Sequence, residues 1–157
     1  MRAGRGFTLI EVVITVAIVG ILALGLVPLG ELAVQRTKEA ELRTPLRQIR
    51  GALDAFKKAA DEGRIARKAD DSGYPPSLEA LVEGVPDIKA PASRQIYFLR
   101  RIPRDPFHAD ASASPAQTWA LRSYESPPDS PRAGKDVFDV YSMAEGKGIN
   151  GIPYSQW

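Results

Sequence analysis

The chain begins with an unbroken apolar run and then changes to an amphipathic pattern. From Phe7 to Gly30, 24 residues, the side chains are mostly Val, Ile, Leu and Ala, and Glu11 carries the only charge. As a helix this run spans roughly 36 Å, enough to cross a hydrocarbon layer. The segment after it, "ELAVQRTKEAELRTPLRQIRGALDAFKKAADEG", keeps a helical period. Leu42, Leu46, Ile49, Leu53 and Phe56 recur at steps of 4, 3, 4 and 3. That spacing forms one apolar stripe able to lie on a sheet, with Arg, Lys, Gln and Glu on the other faces. Glu39 and Arg43 stand four apart in the order that favours a surface pair. Gly63 marks the stop. Pro45 removes a backbone donor inside the stripe and Gly51 lowers helicity. With Pro28, they predict a long helix that bends or partly melts at those points.

Beyond a polar loop, Ser77 is placed to begin a short helix carrying Leu78, Leu81 and Val82, ended by Gly84 and Pro86. Two later segments alternate at period two. In "QTWALRSYE", Trp119, Leu121 and Ser123 oppose Ala120, Arg122 and Tyr124; in "DVFDVYSM", Val137, Asp139 and Tyr141 oppose Phe138, Val140 and Ser142. The proline-rich "SPPDSPRAGK" between them must be a loop. The two segments predict an antiparallel hairpin that accepts the helical stripe, and hence an α+β fold. The end, "SMAEGKGINGIPYSQW", is glycine-rich, with a turn at Asn150-Gly151.

Composition narrows the function. The 157 residues suit one ordinary domain, or a small domain with an appendage. A net charge of +2 on a mixed surface argues against a nucleic-acid partner. With no cysteine, disulfides, thiol chemistry and Cys-based zinc sites are excluded. His108 is the only histidine, lies in the small polar loop "HADASASPA", and has no nucleophile-elbow pattern to serve. No phosphate-cradling glycine loop occurs, so ATP hydrolysis is not expected of this chain, and the chain is not expected to be an enzyme. Arg100, Arg101 and Arg104 form a basic cluster suited to a solvated loop or a subunit contact.

The N-terminus carries the functional signal. Arg2 and Arg5 precede the apolar run and predict a cytoplasmic start, with everything after Gly30 outside. A cleaved secretory signal has a shorter apolar core, and neither it nor a plain anchor explains Glu11. An ionisable group in such a segment is costly and is a functional hypothesis by default. Near a helix start the macrodipole favours it, and the best further partner is an amine in the same apolar layer. The α-amino group of Phe7 would qualify, were the chain cut after Gly6.

The stretch "GFTLIE" resembles the prepilin leader shared by type IV pilins and type II secretion pseudopilins. The resemblance implies cleavage after Gly6 by a membrane peptidase and N-methylation of the new terminus, Phe7. It also implies filament assembly through Glu11 and the Phe7 amine of a neighbour, and places Pro28 where a membrane-helix proline is common. "GYPPSLEALVEG" with "RRIPRDPF" resembles the variable region of the type II secretion major pseudopilins, the general secretion pathway protein G family. The implied fold is type IV pilin-like: a long N-terminal membrane-spanning and amphipathic helix on a small antiparallel sheet, with an irregular C-terminal loop. The implied organisation is a leader at 1–6, a transmembrane and filament-core half-helix at 7–30, an amphipathic half at 31–63, and a periplasmic head at 64–157. The implied partners are further copies, other pseudopilins, the prepilin peptidase and an inner-membrane assembly platform.

In many major pseudopilins the C-terminal loop binds calcium through aspartates and carbonyls. Calcium takes six to eight oxygens, and here the loop offers Glu145 as its carboxylate, with Asn150 and carbonyls. The expectation is therefore no metal, with the loop, which ends in the family-like Ser155-Gln156-Trp157, packed down by Tyr154 and Trp157. Two alternatives stay open. One is a type IV pilin for adhesion, motility or DNA uptake, against which the absence of cysteine and the variable region count. The other is a signal-anchored periplasmic binding or enzymatic domain.

Overall fold

In a computed structural model the described residues are 7–68, 70–91 and 94–157, with the side chains of 24–29 left aside. The chain divides into two compact units, Met1–Thr37 and Lys38–Trp157. Helix α1, Leu9–Asp61, contributes to both. It is followed by α2 (Ala80–Glu83), β1 (Val85–Pro86), β2 (Gln95–Ile96), β3 (Trp119–Arg122) and β4 (Asp139–Ser142), with short 3-10 turns at Pro115–Thr118 and Tyr154–Gln156. The result is α+β, a long N-terminal helix with small antiparallel sheets.

Within the second unit the helical stripe is the core. Leu42, Leu46, Ile49, Leu53 and Phe56 are all buried, joined by Ala52, Ala59 and Ala60. Leu78, Leu81, Trp119, Val137, Val140 and Tyr154 complete the same cluster. The stripe forms because its period matches the helix and its burial removes apolar surface from water. α1 stays helical through both Pro28 and Pro45, so no part of it melts at either. It closes on Gly63 at φ +67°, where Arg64 N–H donates to Ala59 O and Gly63 N–H to Ala60 O. That pair of bonds is a Schellman cap.

β3 and β4 pair antiparallel with Trp119 opposite Ser142 and Arg122 opposite Asp139, which places the hairpin where the alternation puts it. Both strands are shorter than the alternating segments. Gln117 and Thr118 wind into a 3-10 turn because Ser114 and Gln117 form a capping box there, with Pro115 following Ser114. A second two-stranded sheet pairs Val85 with Ile96 and Pro86 with Gln95. The short helix is also smaller than expected. It starts at Ala80 with Glu79 at its N-cap, and Ser77 does not cap it.

Candidate functional site

Two places bear on function, one in each unit. In the first unit α1 opens on a cap. Thr8 Oγ1 accepts from Glu11 N–H at 3.3 Å, and Thr8 O accepts from Val12 N–H at 3.2 Å. Thr8-Leu9-Ile10-Glu11 therefore has the spacing of a capping box, with a threonine at the N-cap and a glutamate three residues on. That spacing is present in the sequence, and the bond observed is the one donated by the Glu11 backbone N–H. Thr15 Oγ1 then donates to Glu11 O at 2.7 Å. Glu11 is solvent-exposed in the first turn, where the helix dipole favours an anion. Phe7, immediately before the cap, is 82% exposed.

Around this start the helix is apolar on every side. Leu9, Ile10, Val12, Val13, Ile14 and Val16 are all exposed, and the pattern continues to Leu22. A helix hydrophobic all round needs lipid or other helices around it. Among the described residues, no helix is long and apolar enough to cross a membrane. The expected span at 7–30 also draws on the side chains of 24–29, including Pro28, which lie outside the described residues. Gly6, the expected residue before the cut, lies outside them too.

In the second unit the C-terminal loop folds back onto α1. Glu39, expected on the surface, is instead 6% exposed. Its Oε1 accepts from Ile149 N–H at 2.8 Å and from the Tyr154 hydroxyl at 3.0 Å. The reason lies in the stripe. Glu39 is three residues before Leu42 and so shares the core-facing side of the helix. Arg43, its expected surface partner, lies over the Trp157 ring at 4.8 Å. Arg50 pairs with Asp139 at 2.7 Å and donates to Val140 O and Trp157 O, tying β4 and the chain end to the helix.

Aromatic packing completes the closure. Tyr154 is buried, with ring centroids 4.5 Å from Phe107 and 5.4 Å from Trp157. The calcium candidates, Glu145 and Asn150, lie in the same loop. Glu145 is exposed, and Asn150 Oδ1 accepts from Ile152 N–H at 3.1 Å. Among the described residues no group of three or more His, Asp or Glu side chains gathers as metal ligands do.

The basic cluster divides. Arg100 and Arg101 are exposed, whereas Arg104 donates to Ala113 O and Asp110 O and so holds its own loop. His108 lies in that loop, half-buried.

A helix that is apolar all round and starts on a capped Thr-Leu-Ile-Glu, followed by a small α+β head, defines the class of prepilin-like proteins. The family described as the prokaryotic N-terminal methylation motif matches residues 1–27. A type II secretion system core protein G of Vibrio cholerae serotype O1 is 30% identical over 166 aligned positions, covering 100% of this chain and 94% of its own. The protein of the same name in Pseudomonas aeruginosa is 30% identical, covering 93% and 87%. That of Klebsiella pneumoniae is 28% identical, covering 87% and 94%. No solved structure matches. The chain belongs to the type II secretion system core protein G family.

Proposed function

We propose that this chain is a structural subunit of the type II secretion pseudopilus. Copies are processed after Gly6, methylated on Phe7, held in the inner membrane by the apolar half of α1, and stacked into a filament with the heads in the periplasm. Growth of that filament drives folded proteins through the outer membrane. The prepilin peptidase, other pseudopilins and an inner-membrane platform are its partners. Its role is mechanical, not enzymatic. The observation that carries this reading is the helix start in a chain of this family. Glu11 sits one turn into an apolar helix, close in sequence to the terminus that cleavage would free.

The physics of assembly follows. An unpaired carboxylate among apolar helices is costly, and the amine of a neighbour's Phe7 answers it. In a low-dielectric bundle the attraction is large but so is desolvation, so the pair's main contribution is to register. The test is the intact mass of protein extracted from native membranes, with and without the processing peptidase. Loss of residues 1–6 with one added methyl is expected. Filaments built from chains that retain the first six residues would overturn the reading. Glu11→Ala should insert normally and fail to polymerise.

A further inference from the structure

In many major pseudopilins a cation organises the C-terminal loop, whereas here two of the loop's polar groups turn donors toward α1. A calcium site is a shell of oxygens, carboxylates and carbonyls, facing inward. Here two of the loop's donors face α1. Ile149 N–H and the Tyr154 hydroxyl converge on one oxygen, Glu39 Oε1, at 2.8 and 3.0 Å. An N–H cannot ligate a metal.

Several of the loop's own acceptors serve the loop's own turns. Ile152 O accepts from Gly148 N–H at 2.9 Å and from Trp157 Nε1 at 3.2 Å, and Gly148 O accepts from Gly151 N–H at 2.8 Å. Asn150 Oδ1 holds Ile152 N–H. Lys147 pairs with Pro153 across an isolated antiparallel bridge, which closes the turn on itself.

We propose that Glu39 does the work of the metal ion. An anion offered by α1 is the centre on which the loop closes, so the head completes its fold without a divalent cation. The polarity is inverted as a unit: a cation inside acceptors is replaced by a carboxylate inside donors. The placement supports this, because Glu39 lies on the buried stripe and is 6% exposed. Its two donors lie 110 and 115 residues downstream, so one side chain fixes the far end of the chain against the helix. Charge-assisted bonds of this kind are about twice as strong as neutral ones. The inference concerns a single folded chain and does not rest on filament assembly.

The experiment uses the full-length chain, unassembled in detergent, and reads thermal unfolding and amide exchange at Ile149. Wild type is measured with EGTA, with millimolar calcium and with millimolar magnesium, beside E39A, E39Q and Y154F. The wild-type midpoint should agree within about 1 °C across the three conditions. E39A should speed exchange at Ile149 by about tenfold or more, and Y154F by less, since the Ile149 bond remains. A wild-type midpoint that falls by several degrees in EGTA and is restored by calcium but not magnesium overturns the proposal. So does unchanged Ile149 protection in E39A. Should E39A fail to fold, E39Q decides, because glutamine keeps the acceptor oxygen but loses the charge. Exchange several-fold faster than wild type is expected there, and unchanged protection overturns the proposal.

Discussion

Ser142 on β4 donates its hydroxyl proton to Asp105 Oδ2, joining residues 37 apart inside the head. Both are buried, at 0% and 2% exposure. Asp105 does more than start a turn before Pro106. Its Oδ1 accepts from Phe107 N–H at 2.8 Å, and its own N–H donates to Thr118 Oγ1 at 3.1 Å. The carboxylate thus ties the Phe107 loop to β4, and the backbone N–H of the same residue ties it to the turn before β3. Asp105→Ala strands the buried Ser142 hydroxyl and the half-buried Phe107 N–H and is expected to cost about 3 kcal/mol, while Ser142→Ala should cost about 1–2 kcal/mol. Urea unfolding of the two variants and the double mutant measures the coupling. An Asp105→Ala midpoint equal to wild type would refute the role.

Arg64 and Asp87 give the head a dependence on acid. Arg64 Nη2 approaches Asp87 Oδ2 at 2.6 Å, just past the end of α1, and Asp87 is buried. The Arg64 hydrogen bond holds the Asp87 carboxyl below the ordinary carboxylate value, with help from Lys89 N–H and against the cost of burial. A depressed folded value means the contribution is present above the unfolded value, near about pH 4, and disappears as pH falls through the folded one. Thermal midpoints recorded from pH 6 down to pH 2.5 should show this loss in wild type. Asp87→Asn, which cannot ionise, should show a shallower fall over the same range. Identical slopes would dissociate the pair from acid stability.

Much of this was readable in the residues, and the exceptions have physical causes. The stripe from Leu42 to Phe56 was legible because a period of 3.6 names a single face. Extending it back one step reaches Glu39, so its burial was legible too. The surface-pair rule uses the spacing to Arg43 and is blind to which face the pair occupies. The β3–β4 hairpin followed from alternation, but local capping chemistry at Ser114 and Gln117 overrode it at the strand's first residues. The Val85–Ile96 pairing is two residues long and leaves no periodic trace. In the first unit the family motif is legible, and the Thr8 cap inside it is encoded by the same four residues, a threonine three positions before Glu11.

Gly51 within α1 and Gly63 just past its end should respond to alanine with opposite signs. Gly63 holds φ +67° in the Schellman cap, a conformation that costs an L-residue about 1–2 kcal/mol. Gly51 is exposed mid-helix, and a Cβ there would meet nothing within 4 Å. Gly63→Ala is expected to destabilise by about 1 kcal/mol and Gly51→Ala to stabilise by about 0.5–1 kcal/mol. Chemical denaturation of both variants checks the pair, and a shared sign would contradict the cap.

Gly148 tests how tightly the C-terminal loop is packed. Its backbone is not in the left-handed region, so an alanine there faces no conformational penalty. The obstacle is steric. A Cβ at this position would collide with the six-membered ring of Trp157 and press on Asn150 Oδ1 at 2.8 Å. One of the two must move, and the Trp157 ring is held by Arg43 above it and by its own bond to Ile152 O. Overpacking of this kind costs about 1–3 kcal/mol. Gly148→Ala should therefore displace Trp157 toward solvent while the helical core stays intact. Acrylamide quenching isolates the effect, because Trp119 is 3% exposed and contributes little quenchable emission. Greater quenching with unchanged far-ultraviolet circular dichroism is the expected result. Quenching equal to wild type would mean that the loop accommodates the methyl group and that Trp157 does not seal it.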